Sequence, residues 1–463
     1  MKQLKNDSSY FINKLNEIKT RLYLDDRRHL SPILLAIVGN FSVTIFMSYV
    51  GLHLEDINTV FWMITFIFAL RNIPQLFLRV PLGNVSQMIG RKPLLISGIG
   101  FYTISLIFLA ISTHWSLVMI AIICLAIGMS CFWPVIFAYI GDIEEDTNIG
   151  KVQGRLFQGS DLGGISGALL AFLLLKTSHL PISRSLTINI STITMIPEIT
   201  KIISPLRLLF SWGAGISLVG LICLAFYVPE VLKKEERIHT DSKIKALGES
   251  FISMFKSLII VTKQKKLSFI YTIQLAIAFI EYIVTAFFPL LVVAKGFPYD
   301  TVAQIAWITS CVLIFFKPYM GKIIDKIGYK GPIFFTLMLS SCMLVLFVFV
   351  NSLPWLIIVY MVFSASSLTS YIGVNTGTTK EAIKNQRGMA LGALGFYVSL
   401  SRSISTLSLG PIKDSLGMNW IFLTTAILIV SVVALIYLIY YFIGNRNKEK
   451  KTNLYASSAK LVK

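Results

Sequence analysis

Twelve apolar runs, near 32–54, 59–82, 93–113, 116–140, 157–176, 205–229, 267–293, 301–321, 332–353, 355–378, 389–411 and 420–444, dominate the chain. A hydrocarbon core of about 30 Å is crossed by roughly 20 apolar residues of α-helix, the one single-segment structure that satisfies its own backbone hydrogen bonds away from water. Only 14% of the residues are charged and the mean hydropathy is +0.73, so most of the chain cannot face water. The sequence therefore predicts an all-α membrane protein with twelve transmembrane helices. Cys124, Cys131, Cys223, Cys311 and Cys342 all fall inside runs without metal-ligand spacing. They read as small apolar packing residues, and no metal or other cofactor is expected.

The second and eighth runs end alike. The first of these ends is Leu78-Arg-Val-Pro-Leu-Gly83-Asn-Val-Ser-Gln87-Met-Ile-Gly90-Arg91-Lys92, and the second is Phe316-Lys-Pro-Tyr-Met-Gly321-Lys-Ile-Ile-Asp325-Lys-Ile-Gly328-Tyr-Lys330. Aligned on Gly83 and Gly321, both have a cation four residues earlier (Arg79, Lys317), a Pro near the helix end and a second Gly seven residues on. The repeat implies two related, pseudo-symmetric bundles of six helices, an organisation common among transporters.

A net charge of +19 in a soluble protein would suggest nucleic acid. Here the N-terminus, the even-numbered loops and the C-terminus hold 32 of the 42 Lys and Arg. The odd-numbered loops and their edges hold six, and Arg71, Arg79, Lys317 and Arg402 lie within runs. That asymmetry places both termini in the cytoplasm and the basic surface against anionic lipid headgroups of the cell membrane. Without interleaved aromatics for base stacking, nucleic-acid binding is not expected. The domain plan is a cytoplasmic N-terminal segment (1–30), a first bundle (31–230), a basic linker (231–266), a second bundle (267–444) and a cytoplasmic tail (445–463). Tyr10–Leu24 and Ile244–Val261 have the apolar stripes of surface-lying helices, and residues 177–204 form an unusually long outer loop.

On these features the chain resembles the major facilitator superfamily, whose loop between helices 2 and 3 carries a Gly…Asp…Gly-Arg-Lys/Arg signature. Gly83, Gly90, Arg91 and Lys92 match it, with Gln87 at the acidic position, whereas the second copy keeps the acid as Asp325 beside Gly321, Gly328 and Lys330. The resemblance implies a gating motif in which Asp325 faces the start of helix 5 (Gly154, Arg155) and Gln87 the start of helix 11 (Arg387, Gly388). An acid can accept hydrogen bonds from free N–H groups at a helix start and meet its positive dipole, so the latch is expected to be stronger at Asp325. Rows of small residues, Gly159, Gly163, Gly164, Gly167 and Gly388, Gly392, Gly395, Gly410, mark close helix contacts.

Charge at membrane depth points to the substrate. A formal charge near the bilayer centre costs at least about 2.5–3.5 kcal/mol on insertion scales, so it lines a cavity or has a partner. Arg71 lies close to mid-run 2, Glu281 close to mid-run 7, Arg402 somewhat past the centre of run 11, and Asp161 in the inner half of run 5. Arg71, Arg402, Glu281, Arg79 and Lys317 are the candidate substrate-binding residues; Glu281 and Asp161 are the candidates for proton coupling. Short stretches resemble the nitrate/nitrite branch (Arg79-Val-Pro81 and Lys317). The Arg that drug exporters carry on helix 4 is replaced by Cys124, four residues before Gly128. The sequence reads as a monomeric secondary transporter of a small, anionic solute, working by alternating access with protons as a candidate coupling ion. Proton-coupled efflux of amphipathic compounds is the alternative within transport, and a non-transporting membrane sensor the alternative of another class. No Ser/His/Asp set or phosphate-cradling loop points to an enzyme or to direct use of ATP.

Overall fold

The computed structural model of the protein describes residues 27–143, 149–178, 204–231, 263–382 and 387–432, with isolated positions 259 and 434. The expected surface helices at 10–24 and 244–261, most of the long outer loop and the tail lie outside the described residues. Among the described residues all regular structure is helical. In chain order the helices are α1 (Arg27–Asp56), α2 (Phe61–Leu70), α3 (Asn72–Ile89), α4 (Arg91–Ile111), α5 (Trp115–Ile143), α6 (Ile149–Ser178) and α7 (Pro205–Tyr227). The second half holds α8 (Lys265–Ala294), α9 (Tyr299–Ile327), α10 (Lys330–Phe349), α11 (Leu353–Glu381) and α12 (Arg387–Leu416), followed by α13 (Met418–Val432).

Ten segments of the described chain are long and apolar enough to span a membrane, and they coincide with the first ten apolar runs. The eleventh run is the 30-residue α12, whose Ser residues and Arg402 make it less apolar; α13 covers the start of the twelfth. Side chains such as Phe226, Phe315 and Phe335 point away from the protein interior, as lipid-facing residues must. Trp62, Trp355 and Trp420 are exposed at the end bearing the odd-numbered loops, in keeping with an aromatic belt. Cys131 is buried, whereas Cys223 and Cys342 are exposed rather than packed.

The second run is not one helix. Its ladder is interrupted at Arg71, although φ −57° and ψ −36° keep that residue helical. Pro74 explains the interruption: it lacks the N–H that would reach back four residues to the Leu70 carbonyl.

The first glycine row does bring backbones together. An added Cβ at Gly159 would lie 2.8 Å from the Ile33 carbonyl oxygen and one at Gly167 2.9 Å from that of Phe41, and Gly163 sits tighter still against Ile37. The four-residue spacing on α6 thus matches that on α1, and the two helices pack along much of their length. Hydroxyls add interhelical ties: Ser217 of α7 meets both Ser42 of α1 and Thr103 of α4 at 2.8 Å. In the second half Thr336 and Ser340 of α10 meet Ser370 and Ser366 of α11.

The duplicated motif gives the same backbone twice. Gly90 has φ 105° and ψ 162°, and Gly328 has φ 89° and ψ 163°. Each sits where one helix ends and the next begins, in a left-handed conformation that favours glycine. The residue after each glycine then reaches an acid at the last turn of a later helix. Arg91 Nε pairs with Asp142 Oδ2 at 2.8 Å, and the Tyr329 hydroxyl donates to Glu381 Oε1 at 2.8 Å. In the first half Glu230 also accepts from the backbone N–H groups of Arg91 and Lys92. In the second half Lys266 Nζ completes the site, 2.8 Å from Glu381 Oε2.

Those bonds from Lys266 and Tyr329 hold the Glu381 carboxyl below the usual carboxylate range. Since the ionised form is favoured by folding, its contribution is present at neutral pH and lost as pH falls through the lowered value. Thermal unfolding of Glu381→Gln against the parent should therefore show a stability gap that is constant near pH 7 and narrows below about pH 4. A gap independent of pH over that range would contradict the assignment.

Candidate functional site

Arg71, Glu281 and Arg402 all lie near the middles of their membrane-crossing segments, and the fold brings them together where the two halves of the chain meet. Arg402 Nη2 is 3.0 Å from Glu281 Oε2. Tyr282, the next residue on α8, is buried, and its ring lies beneath both Arg71 and Arg402, whose guanidinium carbons are 5.3 and 5.8 Å from its centroid. The Tyr282 hydroxyl donates to the Phe68 carbonyl at 2.9 Å, tying α8 to α2.

On α3 the cations are laddered. Arg79 Nη2 donates to Gln75 Oε1 at 2.8 Å, and Gln75 Nε2 donates to the Arg71 carbonyl at 3.0 Å. Positions 71, 75 and 79 are four apart, so they share one helix face. Arg71 Nη2 otherwise finds the Met129 sulfur of α5 at 3.3 Å. A thioether is a weak acceptor for so strong a donor. Arg79 also feels the charges of Arg71 and Arg402, and it lies against Gly395 of α12.

Of the three guanidinium groups, Arg402 pairs with the Glu281 carboxylate, Arg71 shares the Tyr282 ring with Arg402, and Arg79 lies within electrostatic reach of both arginines. Arg71 is 5% exposed, and the Nε atoms of Arg71, Arg79 and Arg402 are buried without a hydrogen-bond partner. Unpaired buried donors are costly, and guanidinium edges are suited to planar anions. Chemically, the site can accept negative charge.

Other predicted residues are less fully placed. Asp161 is half-buried on α6 beside Ser160, whose carbonyl accepts from Asn40 Nδ2 at 2.7 Å. Arg155 is half-buried at the start of α6, and Lys330 is exposed with its Nζ 5.9 Å from the Tyr329 ring. The side chains of Lys317, Gln87, Asp325 and Arg387, and the surroundings of Gly83 and Gly321, lie outside the described residues. The expected latch partners are therefore not described as pairs. The residues that sequence reasoning missed are Gln75, Met129 and Tyr282, with Tyr371 of α11 within electrostatic reach of Arg79 and Arg402.

Above the site, towards the odd-numbered loops, the halves are tied directly. Lys413 Nζ pairs with Glu55 Oε1 at 3.1 Å and lies 3.8 Å from the centre of the Phe61 ring. The Tyr299 hydroxyl donates to Asp56 Oδ1 at 2.7 Å. Phe287 packs on Phe61 and Phe68, and Trp307 on Phe172. At the opposite end two ion pairs, Arg91–Asp142 and Lys266–Glu381, each join residues of one half.

The sequence profile of the Major Facilitator Superfamily matches residues 33–406. Among curated proteins none matches the chain in sequence. Several solved structures share the fold. A variant of the nucleoside transporter NupG superposes with a TM-score of 0.69 at 13% identity, covering 89% of this chain and 100% of that one. A bacterial homologue of the human lysosomal transporter Spinster, in an inward-facing, unoccupied conformation, gives 0.71 at 13% identity over 89% of this chain and 96% of that one. The human organic anion transporter MFSD10 gives 0.60 at 14% identity over 89% and 99%. At such identities the likeness speaks to the fold alone.

Proposed function

The chain belongs to the major facilitator superfamily, and from that footing we propose that it carries a small anion across the cell membrane by alternating access. The two bundles, residues 31–230 and 267–444, rock about a midplane site, with the termini and the basic linker in the cytoplasm against anionic lipid. The observation that carries the reading is the clustering of Arg71, Arg79 and Arg402, of which only Arg402 has an acid, Glu281, as an ion-pair partner among the described residues. Among the described residues these three cations and Glu281 sum to a net charge of about +2, which a bound anion offsets. By the cation asymmetry the odd-numbered loops lie outside. Lys413–Glu55 and Tyr299–Asp56 then close the outer end, and this conformation is one sealed to the outside.

Glu281 is the proposed coupling group. Its carboxylate is paired with Arg402 Nη2 at 3.0 Å. An anion that takes the Arg402 guanidinium displaces the carboxylate from its partner, and that displacement is the proposed link between anion and proton. Asp161 is a second protonatable group on the way, and Asp325 against Arg155 and Gln87 against Arg387 are the proposed inner latch.

Proteoliposome uptake of a labelled panel of phosphate, nitrate, succinate, glutamate, a nucleoside and an amphipathic cation, with and without a pH gradient, tests the reading. Uptake of at least one anion and of neither neutral nor cationic compounds is expected. Uptake confined to the amphipathic cation would replace it with efflux of amphipathic compounds.

A further inference from the structure

We propose that Tyr282 is a positioning residue that holds Arg71 and Arg402 side by side for the anion and ties that arrangement to closure of the outer end. Two guanidinium groups repel each other; Arg402 is neutralised by Glu281, whereas the Arg71 guanidinium donates to the uncharged Met129 sulfur. What they share is the Tyr282 ring, with guanidinium carbons 5.3 and 5.8 Å from its centroid. The face of an aromatic ring attracts a cation, more strongly where water is excluded, and Tyr282 is 2% exposed. A guanidinium has donors only along its edge, so a cation held over a ring keeps that edge for another ligand. The Nε atoms of both arginines are without a hydrogen-bond partner.

The hydroxyl does the second part of the work. It donates to the Phe68 carbonyl, three residues before the interruption at Arg71. One side chain of the second half therefore reaches both the backbone that carries Arg71 and the two cations. Phe287, five residues on along α8, packs on the same Phe68 ring, 6.1 Å between centroids. Opening the outer end separates α8 from α2, and with it Tyr282 from Phe68. The ring then belongs to binding and the hydroxyl to the balance between conformations.

The clamp rests on the anion reading, and two variants separate its parts. Binding is measured by calorimetry in nanodiscs with the tightest-binding member of phosphate, nitrate, succinate and glutamate. Tyr282→Leu, which removes the ring, is expected to weaken that binding at least tenfold, with an unchanged circular dichroism spectrum as the check on folding. Tyr282→Phe keeps the ring and is expected to bind within about threefold of the parent. It should nevertheless shift the conformational balance towards outward-open by roughly three- to tenfold, the worth of one hydrogen bond. That shift is read by spin-label distances between Thr113 and Ser352 in a cysteine-free background. Normal anion binding by Tyr282→Leu, or an equal loss in Tyr282→Phe, would overturn the clamp alone. Should Tyr282→Leu fail to fold, Tyr282→Phe decides through its split between unchanged affinity and shifted distances. Binding of none of the four anions would overturn the anion reading, and the clamp with it.

Discussion

Replacing either Arg71 or Arg402 by Gln is expected to weaken binding of the transported anion by roughly ten- to a hundredfold. The change removes a charge-assisted donor from a site shielded from water, an interaction worth about 1.5–3 kcal/mol. The two variants should differ in detail. Arg71 is tied to Tyr282, Gln75 and Met129, so its loss costs the anion a donor and little else. Arg402 also neutralises Glu281 at 3.0 Å, so its loss leaves an acid facing the incoming anion unless that acid takes a proton. Binding to Arg402→Gln should therefore recover partly at low pH, whereas binding to Arg71→Gln should not. Calorimetric titration at pH 5 and pH 7.5, with Arg207→Gln as a control remote from the site, checks both statements. Normal affinity in both variants would mean that the arginines only lock helices together.

Glu281→Gln is expected to abolish the response of transport to an imposed pH gradient. The mimic of the protonated acid leaves Arg402 free for the anion, so binding should be kept, and at pH 7.5 even strengthened. Arg402 pairs with the carboxylate, and Tyr282 and Tyr371 lie within electrostatic reach of that arginine. Uptake into proteoliposomes with the outside held one to two pH units below the inside is the measurement. A full gradient response in Glu281→Gln would move the coupling group elsewhere, with Asp161 next to be tested.

How much of this was readable in the sequence depends on the range of the interaction. Helix positions follow from run length alone, and the rows at Gly159, Gly163 and Gly167 correctly announced a close contact, because a missing side chain is a local property. The partner, α1, was not legible. The second glycine of each motif copy, Gly90 and Gly328, stood out as a duplicated position, and the two hold matching positive φ. Their neighbours could not be paired from sequence, because Arg91–Asp142 and Tyr329–Glu381 join residues some fifty positions apart through the packing of three helices.

The site itself was half legible. Arg71, Glu281 and Arg402 stood out because charge in an apolar run is expensive. Arg71, Gln75 and Arg79 share a face by spacing, so Gln75 was available to sequence reasoning and was passed over as neutral. Pro74 likewise announces the break at Arg71. Tyr282 and Met129 carry no such mark, since buried aromatics and methionines are ordinary in membrane helices and only the fold brings the two cations over that ring. Lys295 shows the same limit at a helix end. It was read simply as an outer cation, yet its Nζ caps α10 by donating to the Val348 and Val350 carbonyls at 2.8 Å.

The central claim is that the anion sits between the two halves on Arg71 and Arg402. A cryo-electron-microscopy map of the nanodisc-embedded protein, saturated with the anion that the uptake panel identifies, tests it most directly. Anion density is expected within hydrogen-bond distance of both guanidinium groups, beside the Tyr282 ring and absent from the map of Arg71→Gln. Density for the anion elsewhere, with Arg402 still paired to Glu281 and Arg71 unchanged, would contradict it.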